Sequence, residues 1–323
     1  MNLKRPESSA GEGPDILDFT AKKVKRCYGI CPERWFTAKK ITQANYDASQ
    51  VMFEKLAEVN EGDYAALSIA LSKAREYIQI AFRTQDPSKH VRTLSLFWEG
   101  QNGLASLNLW FDWITGGTGL YPGAKQYADI ISKKLDVNMK IVEKVLLEEK
   151  SEEFEEDVRR SETDSQKKYG NKIMHYIFLL RELCNHWKNH REKFVFIEGV
   201  DLLKDISSQP YLHVVMLEQF GIADFPESIA ISVRVGNTVI FENVSLSEGL
   251  AAVLQVTFAF NLLYGEHVDD IFNYLQRILA KFGPIDGARN KKNQLKKCFV
   301  DFQCTLGKLV LQENGGKVQR VFI

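Results

Sequence analysis

IAISVRVGNTVIFENVSLSEGLAAVLQVTFAFNLLY, residues 229–264, decides the fold. Ile229, Ile231, Val233 and Val235 alternate with Ala230, Ser232 and Arg234, the period of a strand with one buried face. Gly236-Asn237 interrupts the alternation and Thr238 to Phe241 resumes a β-rich run. A Gly-Asn pair between two such runs predicts a two-residue hairpin, because the tight turn needs positive φ. Ser245 and Glu248 then stand at capping-box spacing, each positioned to satisfy an orphan amide of a first helical turn. The helix they open runs to about Tyr264 and is apolar nearly all round, so it must be buried.

Working outward, Lys193 to Ile197 and Tyr211 to Leu217 read as further strands. Downstream, Val268, Ile271, Phe272, Leu275, Ile278, Leu279 and Phe282 mark one face of a helix with Asp269 and Asp270 in its first turn, closed by Gly283-Pro284. Leu295, Phe299, Phe302, Leu306 and Leu309 recur at intervals of an amphipathic helix. Upstream the period is helical. Tyr64, Leu67, Leu71, Ala74, Ile78, Ala81 and Phe82 form one stripe; Val91 to Trp98, Trp110 to Ile114, and Ile130 to Leu146 supply others, and Ile173 to Trp187 one more. The expected class is therefore α+β: a helical N-terminal half, then a small antiparallel sheet with packed helices.

Seven acids and one lysine between Glu148 and Asp157 break the pattern, and the stretch onward to Gly170 alternates charge with no apolar stripe. It reads as an exposed linker or a solvated helix extension. The expected organisation is a disordered tail at 1–15, a helical domain at 16–147, a charged linker at 148–170 and an α+β module at 171–323.

Lys plus Arg and Asp plus Glu both number 42, so bulk charge draws the chain neither to nucleic acid nor to an anionic membrane. Five cysteines are an odd, sparse set, more suited to reduced thiols than to a disulfide framework. The polar first fifteen residues hold no apolar signal-peptide core, and Leu250 to Tyr264 is too short to span a bilayer. An intracellular protein, cytoplasmic or nuclear and without a membrane partner, is the expectation.

The order PYLHVV (Pro210–Val215), then the strand–turn–strand Ile229–Glu242, the apolar helix ending in Asn261-x-x-Tyr264 and the helix His267–Leu279 resembles a vertebrate, mostly fish, family. The likeness is to the C-terminal region of proteins labelled sterile alpha motif domain-containing protein three-like. Those proteins usually carry Tyr-Pro where this chain has Tyr264-Gly265. The resemblance implies a recurrent module from a lineage-expanded or mobile-element-derived family, and it transfers no functional residue.

Four constellations bear on chemistry. Glu182, His186 and His190 fall at i, i+4 and i+8 on one helix face, with Cys184 nearby, a spacing that can converge on a metal; a polar helix face is the plainer reading. Cys27 and Cys31 would need a distant pair such as Cys184 and His186 to hold zinc, and are otherwise unpaired thiols. Gly116-Gly117-Thr118-Gly119 lacks the Lys-Ser/Thr of a phosphate loop and reads as a helix–helix connection. Lys22, Lys23, Lys25 and Arg26, with a second cluster at Arg289, Lys291, Lys292, Lys296 and Lys297, could be a nuclear address, a nucleic-acid contact or two solvated surfaces.

No set of nucleophile, base and oxyanion donors can be assembled, and no cofactor motif is present. The expected function is a non-enzymatic interaction or assembly protein, with a protein partner or self-association favoured by twenty Phe, eleven Tyr and five Trp. Nucleic-acid binding through the two basic clusters is the alternative, and a metal-binding protein or metal-dependent enzyme the third.

Overall fold

The computed structural model describes residues 16–18, 40–84, 102–115, 124–149, 151–202, 210–217, 228–259, 262, 264 and 267–280. Eight α-helices and two sheets lie among them. Strands β1 (Ile16–Asp18) and β2 (Lys40–Thr42) form a short antiparallel ladder that the helical reading of the N-terminal half did not anticipate. Helix α1 (Gln43–Glu54) follows at once, its Asn45 amide donating to the Thr42 hydroxyl. Helix α2 (Tyr64–Thr84) starts from an Asp63 cap and packs on α1 through Leu67, Leu71, Ala74 and Ile78. Tyr64, the first residue of that helix, departs from the expected stripe and is 63% exposed. Helices α3 (Gly103–Thr115), α4 (Ala124–Glu149), α5 (Glu152–Tyr169) and α6 (Ile173–His186) complete the helical half.

The charged stretch is thus mostly an ordered helix. Glu152, Glu153 and Glu155 occupy the first turn of α5 and Lys167 and Lys168 its last, the arrangement the helix dipole favours. Arg159 pairs with Glu155, and Arg160 with Glu156 and Asp157, so α5 supports itself by ion pairs one turn apart. Val158, Ser165 and Tyr169 supply its buried face, Phe154 stacks on Phe178, and Gly170, at φ 66°, ends it in the left-handed conformation.

The second sheet is β3 (Val195–Ile197), β4 (Pro210–Leu217), β5 (Ser228–Val235) and β6 (Thr238–Phe241), in that spatial order. The hairpin turns at Gly236-Asn237 as expected, with positive φ carried by Gly236. A register shift between Val233 and Arg234 leaves Ile240 as an extra residue on β6. The sheet is mixed, which corrects the antiparallel expectation: β3 pairs parallel to β4, Val195 opposite Leu212. Twelve residues separate Ile197 from Pro210, the length a parallel crossover requires, whereas the short runs at 195–197 and 210–217 give no directional signal of their own.

Helix α7 (Leu246–Ala259) is opened by the expected capping box. The Ser245 amide donates to the Glu248 carboxylate and the Glu248 amide to the Ser245 hydroxyl, and the first of these bonds holds the Glu248 carboxyl below its usual range. From Gly249 to Ala259 every residue is buried. One side of α7 lies on β4 and β5; other sides meet α3 and α4, and the Trp110 indole donates to the Ala259 carbonyl. Helix α7 ends five residues short of the expected Tyr264. Helix α8 (Asp269–Tyr274) continues as a π turn over Leu275–Leu279, in which the Ala280 amide reaches the Leu275 carbonyl. All of α8, Asp269 and Asp270 included, is buried. One apolar cluster joins Leu67, Trp110 and Val142 of the helical half to Leu212, Val233 and Leu254 of the sheet half.

Contact between α7 and the sheet is set by Gly249. A β-carbon there would stand 2.9 Å from a Leu212 methyl and 3.4 Å from Val244. Gly249→Val should therefore cost about 1–3 kcal/mol by overpacking, despite the better helix propensity of valine over glycine. Urea unfolding followed by circular dichroism would measure it; an unchanged midpoint would show that the helix sits farther from the sheet.

Candidate functional site

Arg181 sits mid-way along α6, and its side chain and that of Asp201 are 6% and 7% exposed. The guanidinium donates Nη1 to the Val195 carbonyl at 2.7 Å and to Asp201 Oδ2 at 2.5 Å, and Nη2 to Asp201 Oδ1 at 2.7 Å. Asp201 also accepts the Ile197 amide. This two-pronged pair ties α6 to β3 and closes the turn after it, where Gly199 takes φ 80° and the Asp201 amide donates back to Ile197. Burial alone would raise the Asp201 carboxyl; Arg181 and the Ile197 amide outweigh it and hold the group below the ordinary aspartate range.

Against this pair opens a groove of about 340 Å³ between α5 and the turn after β3, floored by α6. Met174, Ile177, Phe178, Ile197 and Val200 make its apolar surface. Asp164 and Lys168 stand on the α5 rim, one turn apart; Glu182 and Arg191 line it as well, 3.9 Å from each other. Val200 is 60% exposed, and Leu202, two residues on, 73%. Val51, Ile69 and Val137 are exposed elsewhere on the surface, so what sets Val200 and Leu202 apart is their place beside an apolar groove.

At the α5 edge, Ser161 Oγ lies 3.3 Å from His175 Nδ1, and His175 Nε2 lies 3.5 Å from a Glu143 carboxylate oxygen. Serine, histidine and carboxylate in series suggest a relay, but Ser161 is inside a helix, where the neighbouring amides are spent on the helix ladder and none is left as an oxyanion donor. With the Ser165 hydroxyl accepting the His175 amide and donating to the Asn171 carbonyl, the arrangement bridges α4, α5 and α6 through partly buried polar contacts.

The candidate metal-binding face at Glu182, His186 and His190 does not form as one helix face. Helix α6 ends at His186, Lys188 turns left-handed at φ 58°, and His190 is carried off the helix. There its ring packs at a tilt on His267, centroids 4.3 Å apart, and its Nδ1 faces Glu192 at 3.2 Å, while His186 meets the edge of Trp187 and Glu182 accepts from Asn185. Among the described residues no group of three or more His, Cys, Asp or Glu is arranged to hold a metal. Cys184 is fully buried, which pushes its thiol well up. Cys27, Cys31, the 116–119 loop and both basic clusters, Lys22 to Arg26 and Arg289 to Lys297, lie outside the described residues. No described helix is long and apolar enough to cross a membrane.

No family model, curated protein or solved structure matches this chain. Its site therefore rests on geometry. Sequence periodicity reached Ile177 as part of the α6 stripe but not the groove, whose walls come from segments 161–182, 191 and 197–200 brought together by the Arg181–Asp201 pair.

Asp201→Ala should destabilise the fold by roughly 3–5 kcal/mol, because it strands a buried guanidinium. A carboxyl lowered in the folded state contributes stability above its unfolded value, near 3.9, and loses it as pH falls through the folded value. The variant should accordingly show a flatter loss of stability below about pH 4 than the parent. Thermal melts across that range check both statements.

Proposed function

We propose that this chain is a non-enzymatic intracellular interaction protein that receives a segment of a protein partner in the groove between α5, α6 and the turn after β3. The observation carrying the reading is the apolar groove with Val200 and Leu202 exposed beside it. Apolar floors framed by charge are the anatomy of protein docking sites: the floor supplies affinity and the rim supplies register. The sealed Cys184 and the helix-bound Ser161 add support, since neither offers an activated nucleophile with oxyanion donors. The intracellular part follows from the sparse, odd cysteine set.

Site-specific photocrosslinking in cells tests it. A photoreactive residue in place of Asp164, on the rim, should give discrete protein adducts that disappear with Val200→Asp. The same residue at exposed Asn60, far along the chain, should give none. Equal labelling from both positions would sink the reading.

A further inference from the structure

Resting on that reading of the groove, we propose that its occupant is a second copy of this chain, with Leu202 of each copy entering the groove of the other across a twofold axis. Knob and hole occur side by side: Val200 lines the groove and Leu202 projects at 73% exposure. A twofold interface requires such self-complementarity, because one patch must serve as both partners. An aliphatic knob also matches the chemistry of a floor made by Ile177, Phe178 and Val200.

The knob is preorganised. Asp201, between Val200 and Leu202, is clamped by both guanidinium nitrogens of Arg181 and by the Ile197 amide. Docking therefore need not order the backbone up to Asp201, which lowers a usual cost of association.

Charge selects the same partner. Asp164 and Lys168 are exposed and have no ion-pair partner among the described residues. They lie one turn apart with opposite sign, so two α5 helices meeting antiparallel place each Asp164 opposite the other copy's Lys168. Glu182 and Arg191 bring the groove lining outside the Arg181–Asp201 pair to no net charge, two acids against two bases. A strongly charged partner gains nothing from such a rim; one with the same alternation pairs twice.

The test is the mass of the purified full chain in solution, by sedimentation velocity from low to high micromolar concentration. A monomer–dimer equilibrium is expected. Leu202→Asp should abolish it, and Asp164→Lys or Lys168→Asp alone should weaken it by roughly tenfold or more through like charges meeting. The double swap Asp164→Lys with Lys168→Asp should restore dimerisation, a rescue that a different partner would not reproduce. Circular dichroism should find all four variants folded, since the three positions are exposed. A chain that stays monomeric throughout, or a dimer indifferent to Leu202→Asp, overturns the proposal. Rim adducts to another protein from a monomeric chain would leave the docking reading standing while ending this one; absence of both adducts and dimer ends both.

Discussion

Helix α7 is the constraint on which the rest of the structure depends. A helix that is apolar all round has no solvent face, so it must be enclosed, and enclosure requires more surface than a four-stranded sheet provides. Helices α3 and α4 supply the remainder, and the Trp110 indole donates to the Ala259 carbonyl at the end of α7, where backbone carbonyls lack helical partners. Gly249 permits the approach on the sheet side. Sheet and helical half thereby share one apolar cluster, and within the stretch 148–170, expected as a linker or a solvated helix extension, residues 152–169 form a helix packed on α6.

A second, smaller dependency runs through Arg181. A buried ion pair contributes little net stability beside an apolar replacement, but it is directional. Here direction matters: the fork of the guanidinium fixes the turn at Gly199–Asp201 against α6, and the groove exists because that turn stands off from α5. The buried Asn189 plays a related part at the other end of α6, donating to Asp270 and accepting the Ile271 amide, so that α6 is anchored to α8 as well.

Local signals were legible in the sequence wherever chemistry and position coincide within a few residues. The Gly236-Asn237 hairpin, the Ser245–Glu248 capping box and the 3.6-residue stripe of α2 all have this character, since each is decided by neighbours in the chain. Orientation of β3 was not legible, because three residues cannot encode a direction. The Glu182, His186 and His190 series failed for a related reason: its spacing presumed a continuous helix, and the left-handed Lys188 carries no residue-type signature that glycine or asparagine would have given. The groove, the Arg181–Asp201 fork and the Ser161–His175–Glu143 bridge join residues from different elements, and no periodicity records such pairings.

Burial of α7 also sets a schedule for synthesis. Trp110 and the apolar faces of α3 and α4 leave the ribosome well before residues 246–259, the surface that will cover them, have been made. During that interval the nascent chain displays a broad apolar surface with nothing to occupy it, the condition under which chains aggregate or recruit chaperones. A shortened product ending before the sheet would keep that surface permanently, so premature termination of this chain yields a sticky fragment rather than a smaller working domain.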